Sequence, residues 1–263
     1  MESIPFYKYQ GAGNDFIMID QREQQWIKRE DQALVEKLCH RRFGIGADGL
    51  ILLQNHPDYD FEMIYFNADG REGSMCGNGG RCMIKFAYHL NIRRDVYRFL
   101  AVDGVHEAEI DDDGTVSLKM KDVKTIRKFH NDFIVDTGSP HYIKLSNHVL
   151  DMDVYKKGYE IRNSAEFKED GINVNFVEVL EEPGKIIVRT FERGVEDETM
   201  SCGTGVTASA LVCFHNENGF NEVQVETPGG FLTVEYEKTD ENRYENIWLC
   251  GPAEKVFEGV VEI

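Results

Sequence analysis

Two eight-residue stretches of the chain carry the same pattern. One is Glu72-Gly-Ser-Met-Cys76-Gly-Asn-Gly79, the other Glu198-Thr-Met-Ser-Cys202-Gly-Thr-Gly205, and both read E-x-x-x-C-G-[N/T]-G. Each leads into a run that reads as helix, Arg81 to Leu90 and Val206 to His215. Each cysteine therefore stands at or just before a helix N-terminus. First-turn N–H groups have no partner within a helix, and the dipole is positive at that end. Both effects favour a thiolate, so a thiol with a free pKa of about 8.5 becomes reactive near neutral pH. The glycines let backbone N–H groups come close to a bound anion. One such loop implies a reactive cysteine. Two, in matching places of two halves, imply a pair of thiols facing one substrate. Such a pair can take a proton from one face of a carbon and deliver another to the opposite face. Where that carbon lies next to a carboxylate, the helix N-termini can hold the charge that spreads onto it, as an oxyanion hole does. No pyridoxal-type electron sink is evident. Cys39, Cys82, Cys213 and Cys250 read as small buried hydrophobes.

These loops need elements to position them. Ile4 to Tyr9 alternates as a strand, turns through Gln10 to Asp15, and resumes over Phe16 to Asp20. Asp31 is placed to cap a helix with Leu34, Val35, Leu38 and Cys39 on one face, ended by Gly44. Leu50 to Leu53 reads as a buried strand, and a strand through Phe61, Met63 and Tyr65 leads to Asn67. After the first cysteine helix come hairpins over Tyr97–Val102, Val105–Ile110 and Val116–Met120. The second half repeats the plan. Strands are expected over Phe133–Val135, Tyr142–Leu145, Ile172–Leu180 and Lys185–Phe191, with a short helix over Val149–Tyr155. The second cysteine helix follows, then strands over Val223–Glu226, Phe231–Tyr236 and Ile247–Leu249. The order predicts an α+β fold of two similar domains, residues 1–125 and 126–263, joined near residues 121–131 with the cysteines meeting at a cleft.

The chain has 263 residues, 41% of them hydrophobic and 29% charged, which is ordinary globular composition. Its net charge of −18 supplies no basic footprint for nucleic acid or anionic membrane. No run of about 18 apolar residues predicts a transmembrane helix. The first ten residues lack the apolar core of a secretory signal. With no such signal, the six cysteines are expected to be free thiols in the cytoplasm. No C-x-x-C is present and histidines do not cluster with cysteines, so neither a metal nor another cofactor is expected.

The motifs together resemble diaminopimelate epimerases. The residues that carry the resemblance are Lys8-Tyr-Gln-Gly-Ala-Gly-Asn14-Asp-Phe16, Arg42 to Gly49, Phe66-Asn67-Ala-Asp-Gly70 and Glu192-Arg193-Gly194, with the two cysteine loops. The likeness runs through essentially the whole chain in the family's order. It implies two pseudo-symmetric domains, each a central helix wrapped by a mostly antiparallel sheet, with the strand near residues 252–263 returning to the first. By the same resemblance Cys76 and Cys202 would be the catalytic acid/bases. Asn14, Asn67, Asn173, Glu192 and Arg193 would hold polar groups of a small amino-acid substrate, and Gly77-Asn78 and Gly203-Thr204 would supply N–H groups. His141 and Glu192 would modulate the thiols. Two positions depart from the family. Gly49 stands where glutamine is frequent, and Ser139 stands in the place of an asparagine, with one hydroxyl and a shorter reach.

The resulting expectation is a cofactor-independent epimerase acting on LL- and meso-diaminopimelate in lysine and cell-wall precursor synthesis, with a homodimer as its assembly. Other readings stay open. A proline- or histidine-type racemase of the same fold would use the same thiol pair. A phosphate-binding module would use the glycine loops but lacks G-x-x-x-x-G-K-[ST]. A thiol–disulfide oxidoreductase lacks its C-x-x-C.

Overall fold

The computed structural model of the protein describes residues 2–73, 75–214, 218–239 and 243–263. Ser74 in the first cysteine motif and His215 at the expected end of the second helix lie outside the described residues. The chain divides into two compact units, Met1–Leu118 with Pro252–Ile263, and Lys119–Gly251.

The first unit runs β1 (Ser3–Gly11), β2 (Asn14–Asp20), α1 (Gln32–Cys39), β3 (Gly49–Gln54), β4 (Phe61–Asn67), α2 (Gly77–His89), β5 (Tyr97–Ala101), β6 (Gly104–Ile110) and β7 (Val116–Lys119). Only Ala12 and Gly13 separate β1 from β2, with φ of 49° and 80°. Positive φ at both central residues matches the twist of a two-residue hairpin, and it places Asn14 at the first position of β2. Neighbouring strands pair β1/β2 antiparallel, β2/β3 parallel, β3/β4 antiparallel, β4/β5 parallel, then β5/β6 and β6/β7 antiparallel. Ile17, Ile19, Leu50 and Leu52 share a core cluster with Val35 and Leu38 of α1. Phe16 and Ile51 lie against Gly79 of α2. Both faces of β2 and β3 are thus covered, which is why Leu50 to Leu53 is continuously apolar. α2 is buried on nearly every side, including Gly77 to Ile84, as a core helix must be.

The second unit runs β8 (Arg127–Phe129), β9 (Asp132–Asp136), β10 (Pro140–Leu145), a 3₁₀ turn (Val149–Asp151), α3 (Val154–Arg162), β11 (Asn173–Val179), β12 (Lys185–Glu192), β13 (Asp197–Thr199), α4 (Gly203–Cys213), β14 (Gly219–Thr227), β15 (Gly230–Lys238) and β16 (Tyr244–Gly251). Its pairings repeat the sequence of directions in the first unit. β9/β10 is antiparallel, β10/β11 parallel, β11/β12 antiparallel, β12/β14 parallel, then β14/β15 and β15/β16 antiparallel. α3 occupies the place of α1 and α4 the place of α2. Even the additional edge strands correspond. β8 adds to β9 as β17 (Glu254–Glu262), the last strand of the chain, adds to β1. α4 is apolar and buried all round, and its polar side chains Thr207 and Ser209 bond back to the carbonyls of Gly203 and Gly205.

Several elements differ from the sequence reading. α1 stops at Cys39, well before Gly44, because His40 is extended and its Nδ1 accepts from the N–H groups of Arg42 and Phe43. Asp31 occupies the N-cap position, but its carboxylate accepts from Lys28 N–H outside the helix. The short helix expected over Val149–Tyr155 is a 3₁₀ turn followed by the longer α3, capped by Asp153 on Lys156 N–H at 3.0 Å. The run of α3 is polar and interrupted by Gly158, so it carries no continuous apolar stripe. That glycine is where the helix crosses Phe191, whose side chain a Cβ would strike. β8 lies in the stretch expected to be a connection. α2 and α4 each begin one turn before the apolar runs, so that the motif glycines are inside the helices.

Two candidate half-sites

Both cysteines are N-cap residues with extended backbone, Cys76 at φ −95° and ψ 130°, Cys202 at φ −117° and ψ 107°. Cys76 O accepts the first helical bond from Gly80 at 2.7 Å, and Cys202 O from Val206 at 2.8 Å. The N–H groups of Gly77-Asn78 and Gly203-Thr204 follow within each first turn, where an anion can use them.

In the first unit, Cys76 Sγ lies 3.6 Å from Asn14 Oδ1, in donor position. The amide of Asn14 is held from behind. Its Nδ2 donates to Asp48 Oδ2 at 2.6 Å, so Oδ1 must face the sulfur. Asn78 Nδ2 also reaches Asn14 Oδ1, at 3.4 Å, while Arg81 Nη2 donates to Asn78 Oδ1 at 2.9 Å. Arg81 is wholly buried, and its Nη1 meets Gly77 O at 3.4 Å. Asp48 belongs to an ionic lattice, with Arg41 2.7 Å away and Asp15 bridging Arg41 at 2.7 Å and Lys8 at 2.6 Å. Burial alone would raise the Asp15 pKa, but the bonds and charges of Arg41 and Lys8 outweigh it and hold the carboxyl well below the usual range.

Asn67 is exposed at the end of β4, and Tyr65 OH donates to its Oδ1 at 2.9 Å. The Tyr65 ring lies between two glycines. A Cβ on Gly49 would stand 2.5 Å from Tyr65 Cε2, and one on Gly73 2.9 Å from Cε1. Gly49 therefore leaves the space that the Tyr65 ring fills.

In the second unit, Cys202 Sγ lies 3.5 Å from Thr204 Oγ1, and Thr204 Oγ1 lies 2.9 Å from His141 Nε2. Thr137 fixes the same loop by donating to Thr204 O at 2.8 Å. His141 is fully buried, and burial, with Arg193 adding to it, depresses its pKa to about 3. It is a neutral imidazole at working pH. Asn173, Ser139 and Arg193 form a second cluster. Asn173 Nδ2 donates to Ser139 Oγ at 2.9 Å and to Pro140 O at 3.1 Å, and its Oδ1 accepts from Arg193 N–H at 2.9 Å. Arg193 Nη2 meets Ser139 Oγ at 3.4 Å and its Nη1 donates to Asp170 O at 3.1 Å. Arg193 is exposed, so its guanidinium can meet a carboxylate in a fork. Glu192 Oε2 accepts from Thr199 Oγ1 at 2.9 Å.

The structure thus brings Asn14, Cys76 and Asn78 together in one unit. In the other it groups Cys202, Thr204 and His141, and separately Ser139, Asn173 and Arg193. It ties Asn67 to Tyr65, and Glu192 to Thr199. Sequence reasoning missed Asp48, Arg81, Tyr65, Thr137 and Asn175, which orient these residues. Arg81 had a visible signal, as a charge directly after Gly79-Gly80 that opens an apolar helix. Asn175 had one too, as an amide inside an apolar strand.

Comparison with known proteins places this architecture. The family described as diaminopimelate epimerase matches residues 6–126 and 133–256. A diaminopimelate epimerase of Flavobacterium psychrophilum is 46% identical, over 98% of this chain and 100% of its own. One of Chlorobaculum tepidum is 43% identical, over 96% and 99%. A Bacillus anthracis phenazine biosynthesis protein of the PhzF family superposes with a TM-score of 0.81 at 16% identity, covering 100% of both chains. A hydroxyproline epimerase from Agrobacterium vitis gives 0.71 at 12% identity, over 98% and 92%. At these identities the structural likeness is one of fold alone. With the two matched halves, the paired cysteine caps and the nearly full-length sequence matches, the chain belongs to the diaminopimelate epimerase family.

Proposed function

We propose that this chain interconverts LL- and meso-diaminopimelate by proton transfer at the α-carbon between two cysteines, without a cofactor. The observation that carries this reading is that Cys76 and Cys202 cap equivalent buried helices in two units of equivalent topology. A base on one face and an acid on the other let the carbon invert, and the roles exchange with direction. The N–H groups of Gly77, Asn78, Gly203 and Thr204 stabilise the carboxylate as charge develops on it. Arg193 takes the distant carboxylate, with Ser139 and Asn173 setting its position. Asn14, Asn67 and Glu192 meet the remaining polar groups of the substrate. The free Oδ1 lone pair is what Asn173 has left to offer, since both of its N–H donors are engaged. His141 supports Cys202 through Thr204 and not as a charge. The reaction belongs to lysine and cell-wall precursor synthesis, in a reducing cytoplasm that keeps both thiols active.

The test is a panel of amino acids incubated with the protein in D2O, with α-hydrogen exchange followed by NMR. Diaminopimelate should exchange and invert. Efficient turnover of proline or histidine with none of diaminopimelate would overturn the substrate assignment.

A further inference from the structure

Beneath α4, the polar contacts fix the direction of every proton in a chain that ends at Cys202. The chain begins at the backbone carbonyl of Tyr142, which can only accept. Asn175 Nδ2 lies 3.3 Å from it, and Thr190 Oγ1 donates to Asn175 Oδ1 at 2.9 Å. Turning the amide over would set its oxygen against the carbonyl, so the orientation is determined. The same Nδ2 lies 3.1 Å from His141 Nδ1. Nδ1 must therefore accept, and in a neutral imidazole the proton is on Nε2. Nε2–H then donates to Thr204 Oγ1 at 2.9 Å, leaving the hydroxyl proton free to point at Cys202 Sγ, 3.5 Å away.

The corresponding positions of the first unit hold no such chain. Phe16 pairs with Gly49 as His141 pairs with Asn173, and Ile51 stands two residues beyond Gly49 as Asn175 stands two beyond Asn173. The helix glycines meet the same positions. A Cβ on Gly79 would reach Ile51 Cδ1 and Phe16, whereas one on Gly205 would reach Asn175 Oδ1 and His141 Cε1. Cys76 instead meets the Oδ1 of Asn14, an acceptor that favours S–H over thiolate.

We propose that Asn175 is a positioning residue for proton transfer: it fixes His141 as the Nε2–H tautomer, and through Thr204 this directs a hydrogen bond at the sulfur of Cys202 that favours its thiolate. Removing the chain consequently raises the titration of Cys202 and leaves that of Cys76 in place. The inference deepens the epimerase reading, because it rests on Cys202 being an acid/base. Ionisable groups on the elements around α4 include Arg193 and Glu192 at the end of β12, Asp132 and Asp136 on β9, Tyr142 and Lys144 on β10, Tyr236 on β15 and Tyr244 on β16. All are present in the parent and in the variants below, so a difference between them isolates the chain itself.

The test uses two readouts that need no substrate, so they stand whichever amino acid is turned over. In ¹⁵N-histidine-labelled protein, His141 should show a protonated Nε2 and a bare Nδ1, and Asn175→Leu should weaken that preference. Iodoacetamide labelling of each cysteine across pH, followed by peptide mass spectrometry, gives the midpoint of each thiol in the parent. Asn175→Leu should raise the Cys202 midpoint by about one unit, roughly a tenfold slower reaction at neutral pH, and leave that of Cys76 in place. Thr204→Val removes the last donor without touching the buried amide and should give the same shift should Asn175→Leu fail to fold. A protonated Nδ1 in the parent, a Cys202 midpoint unmoved in both variants, or equal shifts of both thiols would overturn the proposal.

Discussion

At the scale of single residues, each cysteine sits in an arrangement of hydrogen bonds with determined polarity. Asp48 turns Asn14, Arg81 turns Asn78, and Asn175 turns His141. The side chains beside the thiols are therefore oriented before anything binds, which is what proton transfer at a fixed carbon requires. The cysteine loops stood out in the sequence because their pattern is local and repeated. The residues behind them did not, because Asp48 is 34 positions from Asn14 and Asn175 is 34 from His141. No local spacing announces such a contact; only the pairing of β2 with β3 and of β10 with β11 creates it. The residue with the most directly testable role is Arg193. If it clamps the distant carboxylate, Arg193→Met should lower kcat/KM for diaminopimelate by about 10²–10³-fold, since one charge-assisted fork is lost. Monoamino acids of similar length should be poor substrates of the parent. Unchanged kinetics in Arg193→Met would remove that residue from the site.

At the scale of elements, the motif glycines answer to packing. Gly205 has no room for a Cβ because the amide of Asn175 lies against the helix there. Gly79 faces the end of the Ile51 side chain, 3.0 Å from where a Cβ would stand, and that methyl can turn aside. Gly205→Ala should therefore destabilise by about 1–3 kcal/mol, as overpacking does. Gly79→Ala should fall within about 1 kcal/mol of the parent, because the gain in helix propensity offsets the crowding. Urea unfolding of both variants checks the order, and a larger loss for Gly79→Ala would contradict it. Elements with strong alternation or continuous apolar runs were readable from sequence, as Leu50 to Leu53 illustrates. α3 was not, because its exposed face is tyrosine, lysine and glutamate and it meets the sheet chiefly through Val154, Gly158 and Ile161, too few apolar positions to mark a stripe. β8 was not, because three residues of Arg-Lys-Phe carry no pattern without the partner strand β9.

At the scale of the molecule, two units of matching topology carry different titrating groups in their interiors. In the second, His141 has a pKa near 3 against its ordinary 6.5. Between these values the unfolded chain binds a proton that the folded unit excludes, so stability falls as pH drops through that window, by at most ~1.4 kcal/mol per pH unit. In the first, Asp15 is held below its ordinary 3.8, so its ion pairs contribute fully above that value and are lost only as pH falls further. Amide-exchange protection should accordingly weaken first in residues 119–251 as pH is lowered from 6.5 to 4, and His141→Gln should flatten that decline. Earlier loss in residues 2–118 would contradict the assignment. The repeat that underlies this comparison was visible in sequence as a twofold order of strands, helix and hairpins. Its directional detail, parallel at β2/β3 and again at β10/β11, depends on crossovers that only the structure displays.

Isotope labelling in a single direction distinguishes two thiols on opposite faces of one carbon from a single base. LL-diaminopimelate is incubated with the enzyme in D2O, and the reaction is stopped at a few per cent conversion. Only the acid opposite the abstracting thiolate has exchanged with solvent, so the meso product should carry one deuterium at the inverted carbon while recovered LL substrate carries almost none. Equal early labelling of recovered substrate and product would mean that a single base returns the proton to either face, and that Cys76 and Cys202 do not act as a pair.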